Sequence, residues 1–195
     1  MYLLKSGVFL LSFLCVNLVK AKIELILSDL GTEKCNSENA KALDAQFYGK
    51  YCGGKNSLPT VEWFEKNSET KSYAMTITSK NDSNIITHFL AWNIPSHVNL
   101  INHSTNFDEL EAVIGLNSFN QANYSMPCLD SFTEKMSSCL LFSLYALKTE
   151  HIELSQDADY FELMSYLKSM SRDEKGLLDR LSLYAMIIPK QKIDI

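Results

Sequence analysis

Polar and apolar residues alternate along 71–78, where Tyr73, Met75 and Ile77 interleave with Ser72, Thr76 and Thr78. A period of two with β-formers predicts a strand. The polar cluster at 80–84 predicts a turn. The apolar run 85–94, closed by Pro95, predicts a long second strand. Residues 140–147 read Leu-Leu-Phe-Ser-Leu-Tyr-Ala-Leu with no solvent-facing alternation, which predicts a strand buried on both faces. A first strand is expected over 23–30. The stretch 32–54 is polar and irregular, with a short helix expected over 38–43. Residues 98–111 read as a polar loop. Near the C-terminus, Phe161, Met164 and Leu167 fall at helical spacing, and Leu163 and Met170 widen the apolar face. Ser155 or Asp157 is placed to cap that helix. A second helix is expected over 172–181 and a last strand over 181–188. Strands followed by late helices predict a mostly-β domain of packed antiparallel sheets.

The first 21 residues have the form of a signal peptide. Lys5 gives a basic start, 7–19 is uncharged and apolar, and Val19-Lys20-Ala21 offers a cleavage site. The apolar run is shorter than the about 20 residues a membrane span needs. The expectation is a secreted chain, 22–195, forming one domain with a divergent segment at 22–51. The 18 basic and 23 acidic residues give a net charge of −5. Removal of Lys5 and Lys20 leaves 16 basic residues against 23 acidic, or −7. That balance argues against nucleic acid and anionic membrane surfaces as partners. Cys35, Cys52, Cys128 and Cys139 would remain, an even number, and predict two disulfides. Local pairing, Cys35–Cys52 and Cys128–Cys139, is the favoured arrangement. Cys52–Cys128 with Cys35–Cys139 is the competing one. No metal-ligand spacing occurs, and no cofactor is expected.

Several blocks occur in a telling order. The first is Cys52-Gly-Gly-Lys-Asn56-Ser-Leu-Pro59-Thr-Val-Glu-Trp63, followed by Thr70-Lys-Ser72-Tyr-Ala-Met and His88-Phe-Leu-Ala-Trp92-Asn93-Ile94-Pro95. Then come Gly115-Leu-Asn117-Ser-Phe119 leading to Tyr124-Ser-Met-Pro127-Cys128, and Phe142-Ser-Leu-Tyr145-Ala146-Leu147. Together they resemble the bacterial and archaeal form of the phosphatidylethanolamine-binding, or Raf-kinase-inhibitor-like, proteins. The resemblance implies a large antiparallel sheet packed on a smaller one, with C-terminal helices. It also implies a small anion-binding pocket at one end.

The same resemblance shows departures. The family's Asp-Pro-Asp-x-Pro turn aligns with Ser79-Lys80-Asn81-Asp82-Ser83, so Ser79 and Asn81 stand where the pocket has carboxylates. Its His-Arg pair aligns with Ser138-Cys139, and Met126 stands in place of a glycine. His88 and Pro127 remain as matches. The ligand-binding candidates are therefore His88, Pro127, Ser79 and Asn81. A histidine without neighbouring carboxylates loses the charge that would raise its pKa, and without the arginine the pocket lacks a bidentate clamp. The expectation is a weakened anion site, open to a small anionic or neutral ligand.

Catalytic signatures are missing: no Gly-x-Ser-x-Gly elbow, no phosphate-cradling glycine loop and no His-Glu-x-x-His. The reading is a non-enzymatic binding or inhibitor protein, with a protein such as a protease as a further partner. The alternatives are a secreted protein-protein interaction module and a hydrolase using Cys128 with His88. His97, His103 and His151 read as surface residues. Asn81, Asn102 and Asn123 each begin an Asn-x-Ser sequon and are candidate glycosylation sites.

Overall fold

The computed structural model describes residues 24–27, 35, 43–64, 67–81, 84–126, 139–172 and 176–187. Eight strands and one α-helix are seen among them: β1 (Glu24–Leu27), β2 (Val61–Phe64), β3 (Ser72–Asn81), β4 (Asn84–Pro95), β5 (Leu100–Ile101), β6 (Val113–Ile114), β7 (Cys139–Leu147), α1 (Tyr160–Arg172) and β8 (Leu177–Met186). A five-stranded sheet has the order β6-β4-β3-β7-β8, and a three-stranded sheet the order β1-β2-β5. Every pairing is antiparallel. The expected large and small sheets are both present. The proposed signal peptide and Pro127, Cys128 and Ser138 lie outside the described residues.

Two apolar layers hold the large sheet. On one face Tyr73, Met75, Ile77, Phe89 and Phe142 pack with Val61, Trp63 and Ile101 of the small sheet. On the other, Ala74, Leu90, Trp92, Tyr145 and Leu147 pack with Leu163 and Leu167 of α1. This explains why 140–147 carries no polar alternation: β7 lies between β3 and β8 with both faces covered. Full burial of a Leu, Ile or Phe side chain is worth about 1.5–3 kcal/mol, so these layers are the main driving force for the fold.

Three expectations need correction. The expected second helix at 172–181 is instead the start of β8, which pairs with β7 from Leu177 opposite Leu147 to Met186 opposite Cys139. The open edge of β7 decides it, because a leucine-rich run can serve a helix or a strand. The α1 cap is neither Ser155 nor Asp157 but Asp159. Its carboxylate accepts from the Phe161 and Glu162 amides, while Glu162 accepts from the Asp159 amide, a reciprocal capping box. The loop 98–111 also contains β5.

The disulfide pairing differs as well. Cys35 is bonded to Cys139, with Cα atoms 5.8 Å apart, so neither Cys35–Cys52 nor Cys128–Cys139 forms. Sequence proximity misled here. The Leu43 amide donates to the Met186 carbonyl, and Met186 is the register partner of Cys139. The N-terminal segment thus runs past the start of β7, distant in sequence but close in space.

Candidate functional site

His88 sits in β4 at a register irregularity. Ile77 pairs with Phe89 and Thr78 with Thr87, so β4 carries one extra residue there, His88. A β-bulge of this kind re-aims side chains. Ser79 shares by alternation the face of Ile77, and Phe89 lies in the same inter-sheet layer. The bulge turns His88 onto that face too, where its Nε2 lies 2.8 Å from Ser79 Oγ. A bulge-free strand would point His88 and Phe89 to opposite sides.

The loop over 115–126 closes the site. The Ser118 amide donates to the Thr87 carbonyl, and the Ser125 amide to the His88 carbonyl. Asn117 is its internal brace: Oδ1 accepts from the Phe119 and Gln121 amides, and Nδ2 donates to the Asn123 carbonyl. Asn56 is the external brace. Its Nδ2 donates to the Tyr124 carbonyl at 2.6 Å, and its Oδ1 accepts from the Met126 amide at 2.9 Å. Asn56 has a φ of 54°, a left-handed conformation that asparagine tolerates better than most residues. The turns at 45–52 hold it there, with the Asn56 amide bonded to the Tyr48 carbonyl.

These contacts fix the His88 tautomer. Nδ1 lies 2.9 Å from the Ser125 carbonyl, which can only accept, so Nδ1 carries the proton. Nε2 is then an acceptor, and the Ser79 hydroxyl donates to it. Both ring nitrogens are satisfied with the imidazole uncharged. His88 is fully buried and Ser79 nearly so. Burial holds the imidazole pKa down at about 4, against a smaller upward pull from the Ser125 carbonyl. A serine hydroxyl facing a histidine nitrogen has the outline of a nucleophile and its base. A base of such low pKa is a weak proton acceptor, and burial of both groups leaves no direct line of attack.

Ser79 and His88 are thus brought together. Asn81 closes β3 at the same end of the sheet. Met126 is buried in the inter-sheet layer. Cys139 stands at the start of β7, tied to Cys35 where the family pattern has an arginine. Asn102 is half-buried and Asn123 exposed, and His97, His103 and His151 are all exposed as expected. Sequence reading missed Asn56, Asn117 and the Ser125 carbonyl. The two asparagines lie inside matched motifs, but no motif announces a backbone acceptor.

The family model for phosphatidylethanolamine-binding protein matches residues 35–177. Among solved structures the chain is similar to Escherichia coli YbcL, described as a member of the mammalian PEBP family. The identity is 20%, the TM-score 0.68, and the coverage 87% of this chain and 99% of that one. It is also similar to CT736 of Chlamydia trachomatis, a phosphatidylethanolamine-binding protein homologue, at 16% identity and TM-score 0.62 over 87% and 99% of the two chains. No curated protein matches the chain in sequence. With nearly three-quarters of its length matched by the family model, the chain belongs to the phosphatidylethanolamine-binding protein family.

Proposed function

We propose that this protein is a secreted, non-enzymatic binding or inhibitor protein with a weakened anion site, in which the buried His88 imidazole is uncharged and offers no counter-charge to an anion. The observation that carries the reading is the Ser79–His88–Ser125 chain of hydrogen bonds, which satisfies both imidazole nitrogens in the neutral state. An anion needs a counter-charge when desolvated, and the neutral imidazole supplies none. The serine at 79 removes the carboxylate that would favour imidazolium. Secretion is supported by the N-terminal pattern and by the Cys35–Cys139 bond, a chemistry of oxidising compartments. No helix among the described residues is long and apolar enough to cross a membrane.

The test is a titration with phosphorylethanolamine, followed by the amide resonances of Ser79, His88 and Ser125. The reading expects no movement of these signals at millimolar concentration. Saturation at micromolar concentration would overturn it.

A further inference from the structure

A cavity of about 460 Å³ opens beside this site, and neither Ser79 nor His88 lines it. Its size falls within the about 300–1,000 Å³ typical of small-molecule sites. The apolar wall is made by Leu58, Phe89, Phe107 and Tyr124. Phe89 and Phe107 meet there with ring centroids 5.6 Å apart and their planes tilted by 56°.

The polar lining is one-sided. Lys50 and Lys55 stand on it, and among the described residues no aspartate or glutamate does, although the chain holds 23 acidic residues against 18 basic ones. Neither lysine makes an ion pair among the described residues. The neutral groups are biased the same way. Asn102 Oδ1 accepts from the Ser104 amide, and Thr105 Oγ1 from the Asn102 amide. The Nδ2 groups of Asn102 and Asn123 and the Thr105 hydroxyl remain as donors.

We infer that this cavity is a binding site for an amphiphilic carboxylate, a small acid with an aryl or alkyl body. The body lies on the Leu58, Phe89 and Phe107 wall. The carboxylate faces Lys50, Lys55 and the amide donors. Asn102 and Asn123 both begin sequons and both line the cavity, so a sugar at either one would compete with the ligand.

The experiment uses the full chain made without glycans in a bacterial periplasm, with 4-phenylbutyrate as probe and 4-phenylbutanol as its uncharged counterpart. Amide resonances report the site. Phenylbutyrate is expected to move Thr105, Phe107 and Tyr124 rather than Ser79 and His88, and to bind far more tightly than the alcohol. The pair Lys50→Gln and Lys55→Gln should weaken it about threefold each and flatten its salt dependence. No binding at millimolar probe, equal binding of the alcohol, shifts centred on His88, or unchanged affinity in both lysine variants would overturn the inference. Apart from shifts centred on His88, these outcomes do not bear on the charge of His88, so failure here and failure of that reading are distinguishable.

Discussion

The buried neutral imidazole makes stability depend on pH in a calculable way. In the unfolded chain His88 titrates near its ordinary 6.5, and in the native protein at about 4. Between these values the unfolded state binds a proton that the native state refuses. The unfolded chain therefore gains stability as pH falls. The native advantage is full above pH 6.5, shrinks as pH drops toward 4, and changes no further below that. At about 1.4 kcal/mol per pH unit, the full effect is about 3 kcal/mol. Of this, about 2.5 kcal/mol should be lost between about pH 7.5 and about pH 4.5. The assay is urea unfolding at several pH values in the wild type and in His88→Gln. The variant is less stable at every pH, but only the slope matters, since the carboxylates titrate alike in both. Wild type should lose about 2.5 kcal/mol more than the variant over that range. Parallel curves, agreeing to within about 0.5 kcal/mol, would refute the reasoning.

Other outcomes follow from the same contacts. Ser79→Asp places a carboxylate against Nε2, so the His88 pKa should rise by two units or more and phosphorylethanolamine binding should appear, both read by NMR. Replacing Cys35 and Cys139 together with serine opens a crosslink spanning a sequence separation of 104; chain entropy predicts a loss of about 4.7 kcal/mol in urea unfolding. Asp159→Ala removes the cap of α1 and should cost about 1 kcal/mol by the same assay.

Much of the sheet structure was legible because β3 and β7 carry the patterns of strands. The unbroken apolar run of 140–147 follows from cover on both faces, whereas the Ser72, Thr76 and Thr78 face of β3 is buried too, so its alternation marks the strand and not an exposed face. Lone Leu-rich segments carry less information. The run in β8 takes its form from the open edge of β7, which local sequence does not record. The disulfide was misread for a similar reason: Leu43 reaches Met186 only in the folded chain. At the site, His88 and Ser79 were identifiable from their motif positions. The bulge that lets the two meet has no sequence mark, since neither glycine nor proline stands at 87–89. The Ser125 carbonyl that fixes the tautomer is a backbone atom, present at every position and informative at none.

The central claim is that the His88 imidazole is uncharged, with its proton on Nδ1, under the conditions in which the protein works. Imidazole ¹⁵N and ¹³C chemical shifts of His88, followed from about pH 3 to about pH 8, measure both properties at once. The account predicts a neutral Nδ1–H ring throughout the neutral range, with protonation centred near pH 4. A midpoint at or above the ordinary 6.5, or a proton on Nε2 in the neutral range, would contradict it.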